Sequence, residues 1–126
     1  MEYLVDSNVL IDYVAERFKP QQLIKLDVIF DAALNVSAIT KIETPGFNAP
    51  IEEEKRMLQF FSVANIIALT DDIIELTIQL RKINKLKTPD AIIAATALTH
   101  SLALISRNLS DFKNIPGLVV IDPHTL

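Results

Sequence analysis

Four carboxylates stand out by where they fall along the chain: Asp6, Glu43, Asp90 and Asp111. Asp6 follows a short apolar run, Tyr3-Leu4-Val5, that reads as a strand. Glu43 lies one helical turn past a second strand, Asp90 opens a helix rich in small residues, and Asp111 follows a fourth strand. In open α/β sheets ligands bind beyond the carboxyl ends of the strands, so these distant acids are expected to converge at one end of the sheet. Four bare charges at close range repel and raise one another's pKa. Either protons stay bound or a hard divalent cation holds the group, and an all-oxygen donor set suits Mg²⁺ or Mn²⁺ rather than zinc. Such an ion keeps several waters, and the carboxylates can activate one of them to attack a phosphodiester without any histidine.

Each acid also has a plainer reading. Asp6 can cap the helix behind it, with Asn8 as the other cap, and Asp90 can be a first-turn acid favoured by the helix dipole by about 0.3–1 kcal/mol. Glu43 can be a solvated helix residue and Asp111 a loop acid; composition and periodicity alone leave both sets of readings open. Ser106, Arg107 and Asn108 lie beside the acids, just after the fourth strand, and Arg107 is a candidate phosphate contact. The basic stretch Arg81-Lys82-Ile83-Asn84-Lys85-Leu86-Lys87 ends three residues before Asp90, so Lys85 and Lys87 can contact phosphate or simply solvate a helix C-terminus. His100 and His124 are not paired as acid and base, which disfavours metal-free cleavage by two imidazoles. With only Gly46 and Gly117, the chain has no phosphate-cradling Gly-rich loop and no sharp nucleophile turn.

The elements that must position these groups alternate. Strands are expected at Tyr3–Val5, Leu34–Ile39, Asn65–Leu69, Leu102–Ser106 and Leu118–Ile121. Helices are expected between them: after Asp6-Ser7-Asn8, from Pro20, after a cap at Thr40 and up to a break at Pro45-Gly46, after Pro50, after Thr70-Asp71-Asp72, and after a cap at Thr88 with Pro89 at the first helical position. Strands apolar throughout and alternating with helices indicate an α/β sandwich around a mainly parallel sheet of about five strands. Residues 1–126 read as a single domain.

Composition narrows the functions. The 126 residues carry no Cys, which removes disulfides, thiolate metal sites and cysteine nucleophiles and suits a reducing, cytoplasmic setting. Lys+Arg 12 against Asp+Glu 16 gives −4, so the chain as a whole is no polyanion binder. If four of the 16 acids belong to the site, the remaining 12 balance the 12 cations, and the −4 is the charge of the site itself. No apolar stretch approaches the ~20 residues that cross a bilayer. Hydrophobic residues nevertheless make up 50%, with a mean hydropathy of +0.31, so some apolar surface is expected to await a protein partner.

Taken together the motifs match a known pattern. Leu4-Val5-Asp6-Ser7-Asn8-Val9-Leu10-Ile11-Asp12 resembles the opening of PIN-domain ribonucleases, specifically VapC-type toxins of toxin–antitoxin pairs. Ser37-Ala38-Ile39-Thr40-Lys41-Ile42-Glu43 with Gly46, Thr88-Pro89-Asp90 through Ala97, and Leu104-Ile105-Ser106-Arg107-Asn108 through Asp111-Phe112 resemble the other three motifs, in order. The resemblance implies a PIN-like three-layer α/β/α sandwich, Mg²⁺- or Mn²⁺-dependent cleavage of RNA, a cognate antitoxin that enters the site, and a homodimer. It also implies a catalytic quartet of Asp6, Glu43, Asp90 and Asp111, with Asp6 and Asp90 as direct metal ligands. Ser106 and Asn108 would then supply polar contacts near the metal or the phosphate. Ser106 departs from the more usual threonine, and Pro45 leaves Glu43 on a helix expected to be short or kinked. A PIN fold without catalysis that binds RNA or a protein, and a small phosphatase, are the competing readings.

Overall fold

A computed structural model describes residues 2–44 and 48–126. Among them, five short strands form one sheet: β1 (Tyr3–Val5), β2 (Asn35–Ser37), β3 (Asn65–Ile67), β4 (Ala103–Ile105) and β5 (Val120–Ile121). Their order is β3-β2-β1-β4-β5 and every pairing is parallel, so the sheet is wholly rather than mainly parallel. The helices are α1 (Ser7–Val14), α2 (Pro20–Ala32), α3 (Ala38–Glu43), α4 (Ile51–Val63), α5 (Asp71–Ile83), α6 (Thr88–Thr99) and α7 (Leu109–Phe112), with a closing 3₁₀ turn over Pro123–Thr125.

Strand alternation creates the three layers. Leu4 and Leu104, both fully buried, join Ile73, Leu80, Ile93 and Phe112 in one core. Their neighbours Val5 and Ile105 point the opposite way and join Val9, Leu10, Leu26, Met57 and Phe61 in the other. Each such side chain contributes about 1.5–3 kcal/mol by leaving water. Helix α6 is buried along most of its length through Ala91, Ala94, Ala95 and Ala97, and these small side chains let it lie close against α5 and the sheet. Among the described residues, no helix is long and apolar enough to cross a membrane.

Two caps differ from expectation. Helix α3 starts at Ala38, so Ser37 rather than Thr40 caps it, its hydroxyl accepting from the Ile39 N–H at 3.3 Å, while Thr40 is buried inside the helix. β-branched Ile39, which suggests strand, is helical because the strand has already ended at the serine. Helix α6 begins with the Ala91 N–H on the Lys87 carbonyl at 2.9 Å, so Lys87 is the cap, Thr88 the first helical residue and Pro89 the second. Helix α3 is short, as expected; the expected break at Pro45-Gly46 and the motif glycine Gly46 lie outside the described residues.

Two helices end without the glycine that usually permits it. After α1, Glu16 takes φ 59°, with Glu16 N–H on the Tyr13 carbonyl (3.2 Å) and Arg17 N–H on the Asp12 carbonyl (3.0 Å). After α6, Ser101 takes φ 54°, with Ser101 N–H on the Leu98 carbonyl (3.3 Å) and Leu102 N–H on the Ala97 carbonyl (2.8 Å). Both are Schellman endings, and an L side chain in this conformation costs about 1–2 kcal/mol. Glu16→Gly is therefore expected to stabilise the protein by about 1 kcal/mol, read as a higher urea midpoint at unchanged slope.

Candidate active site at the carboxyl end of the sheet

The chain winds from β1 outward to β2 and β3, then returns to place β4 on the other side of β1. The β1–β4 pair is thus the switch point of the sheet, where the crevice of an open α/β fold lies. Val5 pairs with Ile105, and the Asp6 N–H donates to the Ile105 carbonyl at 3.0 Å. Asp6 and Ser106 consequently leave the sheet side by side.

Asp6 is nearly buried and fully engaged. Its Oδ1 accepts from the Ser7 N–H at 2.7 Å, and its Oδ2 accepts from Ser106 Oγ at 2.7 Å and Asn8 Nδ2 at 3.1 Å. It is also the N-cap of α1, so capping and a place at the site belong to the same side chain. Ser106 is wholly buried behind Asp6, which closes it to direct contact with a large substrate. Its hydroxyl also accepts from the Asn108 N–H at 3.0 Å, and Asn108 Nδ2 donates to Asp111 Oδ2 at 2.9 Å. A chain of hydrogen bonds therefore links Asp111 to Asp6.

From the other side, Glu43 ends α3 with Oε1 3.1 Å from Ser7 Oγ, and that hydroxyl also lies 3.1 Å from Thr40 Oγ1. Asp90, in the first turn of α6, feels the charges of Asp6, Asp111 and Glu43. Three of the four expected acids thus meet at one cleft, and the fourth, Asp111, acts on Asp90 by charge. Asp6, Glu43 and Asp90 line a cleft of about 420 Å³ with Ser7, Asn8, Ile11, Arg17 and Arg107, while Asp111, hydrogen-bonded by Asn108, is not among the lining residues.

Burial, then the like charges of Asp6, Asp111 and Glu43, raise the Asp90 carboxyl above the usual carboxylate range, and Lys87 lowers it in part. Burial also raises Asp6, against hydrogen bonds from Ser106, Ser7 and Asn8 and together with the charge of Glu43. The donors suit a hard divalent cation: all are carboxylate or hydroxyl oxygens, and the two most crowded acids are those a positive charge would relieve. Among the described residues, no three His, Cys, Asp or Glu side chains stand close enough together to hold a metal ion by themselves.

The basic candidates separate. Lys87 acts on Asp90 by charge. Lys85 is exposed on the α5–α6 connection and is not among the residues lining the cleft. Arg107 lines the cleft and is ion-paired with Asp12 at 3.3 Å. Sequence reading misses Arg17, which also lines the cleft, and Asp12, which pairs with it at 3.0 Å. The available signal was an acid in the apolar run Val9-Leu10-Ile11-Asp12, one turn beyond Asn8.

A family model described as PIN domain matches residues 3–118. The chain belongs to the PIN-domain family. Among solved structures, this PIN domain is similar to a toxin–antitoxin complex from Klebsiella pneumoniae, at 37% identity over 97% of this chain and 98% of that one, with a TM-score of 0.76. It shares its fold with DNA-bound VapBC from Salmonella typhimurium, at 20% identity, 98% coverage of both chains and a TM-score of 0.82. Ribonuclease VapC1 of Rickettsia felis is 53% identical over 34 residues, which is 27% of this chain and 25% of that protein.

The acid cluster of this PIN domain has a consequence for stability. An acid whose folded pKa is raised contributes stability that is full below its unfolded pKa and lost as pH rises through the folded value. Without divalent ions, Asp90→Asn is therefore expected to melt above the wild type at pH 7, by a few degrees. Calorimetry in EDTA should show that gap shrinking toward pH 4, and Mg²⁺ at pH 7 should narrow it as well.

Proposed function

We propose that this PIN domain is a metal-dependent endoribonuclease and the toxin of a toxin–antitoxin pair, cutting structured RNA such as tRNA or rRNA to slow translation in the cytoplasm. The single observation that carries the reading is the cleft in which Asp6, Glu43 and Asp90 converge, with Asp111 tied to Asp6 through Asn108 and Ser106. The full acid set favours catalysis over a PIN fold that only binds.

Asp6 and Asp90 would hold Mg²⁺ or Mn²⁺ directly, with Glu43 and Asp111 completing the site through water or a second ion. When bound, the ion supplies Lewis-acid charge on the phosphate and lowers the pKa of water. The chain's own groups do the rest. Ser106 and Asn8 fix the Asp6 carboxylate, and Ser7 steadies Glu43 as a proton acceptor at the cleft wall. Arg17 and Arg107 would present guanidinium donors to the phosphodiester, with Lys87 a further cation acting on Asp90, and Lys85 and Asn108 as further proposed contacts to the RNA.

Protein partners are supported by apolar side chains left in water. Ile24 and Val28 on α2, Ile51 and Leu58 on α4, and Ile74, Ile78 and Ile83 on α5 are all exposed. An antitoxin and a second copy of the chain are the proposed occupants, in keeping with the toxin–antitoxin assembly named for the similar Klebsiella protein.

The test is cleavage of a panel of tRNAs and rRNA fragments with Mg²⁺ or Mn²⁺. Wild type should cut at least one member, EDTA should abolish cutting, and Asp90→Asn should lower the rate at least about 100-fold with its thermal transition intact. Cleavage that persists in both EDTA and Asp90→Asn would sink the assignment; turnover of phosphomonoesters in place of RNA would favour a phosphatase.

A further inference from the structure

Asp12 is a charged residue in an apolar helix, with a side chain only 2% exposed. Its neighbours Leu10 and Val14 are core residues. The carboxylate is shared between two guanidiniums: Oδ1 lies 3.0 Å from Arg17 Nη1 and Oδ2 lies 3.3 Å from Arg107 Nη1. The arginines come from distant places, one following α1 and one following β4, yet both line the acid cleft. Their side chains remain 55% and 51% exposed. Each therefore sets one nitrogen against Asp12 while about half of its side chain stays open to solvent, and a guanidinium has five N–H donors in all.

The backbone reinforces the arrangement. Glu16 adopts the left-handed conformation, and this turns the chain so that the Arg17 N–H bonds the carbonyl of Asp12 itself. Arg17 is tied to Asp12 twice, through main chain and side chain. A buried carboxylate is a poor device for stability alone, since an apolar residue of similar size usually serves as well. Its distinct effect here is to fix two flexible cations at the rim of a cleft whose acids would otherwise repel a polyanion.

We propose that Asp12 is a positioning residue, holding Arg17 and Arg107 as a preset pair that grips an RNA phosphate at the rim of the cleft. The inference rests on the ribonuclease reading and adds to it how an acidic site holds an acidic polymer. Because the pair meets backbone phosphate rather than base edges, it acts on any RNA that reaches the cleft.

Two effects of removing Asp12 have opposite signs, and that makes the role testable. If Asp12 only neutralises the arginines, Asp12→Asn frees positive field and RNA binds more tightly. If it orders them, binding weakens. The measurement is fluorescence anisotropy of a fluorescein-labelled RNA stem-loop, in EDTA and in an Asp90→Asn background, across a KCl series. The Arg17→Gln/Arg107→Gln protein should bind about tenfold more weakly and lose about 0.7–0.9 from the slope of log affinity against log salt, the amount one phosphate contact carries. Asp12→Asn should bind several-fold more weakly, and should add no further loss once both arginines are gone.

Equal or tighter binding by Asp12→Asn overturns the proposal, and so does a loss that persists undiminished without the arginines. If Asp12→Asn shows no cooperative thermal transition, Asp12→Glu replaces it: the charge stays but both guanidiniums are displaced, so binding must weaken, and unchanged affinity overturns the proposal. Wild-type cleavage with no dependence of binding on Arg17 and Arg107 removes the clamp and leaves the ribonuclease. Absence of both stem-loop binding and cleavage removes both.

Discussion

A carboxylate buried at the switch point of the sheet sets the terms for the rest of this structure. Asp6 is only 4% exposed, and a charge so placed is tolerable only when each oxygen is satisfied. The donors come from three residues: the Ser7 backbone, the Asn8 side chain, and Ser106, which lies 100 residues away in the chain. Only the parallel register of β1 on β4, with Val5 against Ile105, brings the last of these within 2.7 Å. A slip of one residue would turn the Ile105 side chain out of its core and present the wrong side chain to Asp6. The hydrogen bond therefore reports on the register of the central strands as much as on the site.

From that anchor the cleft is assembled by short reaches. The N-cap geometry of Asp6 starts α1, and α1 then carries Ser7 to Glu43 and Asn8 back to Asp6. Ser106 receives the Asn108 N–H, and Asn108 in turn holds Asp111. Local caps and turns, rather than long side chains, gather acids from four parts of the chain. The acids nearest the centre are accordingly the ones whose carboxyls are pushed upward, Asp6 chiefly by desolvation and Asp90 by desolvation with three like charges.

Much of this was legible in the residues. The apolar runs at Tyr3–Val5 and around Leu104 are strands because both faces are covered, and Asp6 and Asp90 follow from the signals that start their helices. What escaped was of two kinds. Thr40 looked like a cap because Ile39 has strand character, but the tertiary pairing of β2 ends at Ser37. The helix endings at Glu16 and Ser101 gave no sign because their residue types disfavour the left-handed conformation they adopt. Arg17 belongs to the second kind as well: its place at the cleft is fixed by a turn that a glycine would have announced and a glutamate conceals.

The charge balance gains a location from these details. A chain with 16 acids and 12 cations is a poor general ligand for nucleic acid, yet the cations that matter need not be many. The run from Arg81 to Lys87 supplies Lys82, Lys85 and Lys87 on exposed stems, and such side chains lose much of their freedom when they hold a phosphate. Arg17 and Arg107 have already surrendered that freedom to Asp12, and their planar forks can serve a carboxylate and a phosphate at once. Two ordered guanidiniums beside the acids can then outweigh several mobile ammonium groups at the margin. On this account the fifth acid, buried and outside the quartet, is what allows an acidic protein to receive an acidic substrate.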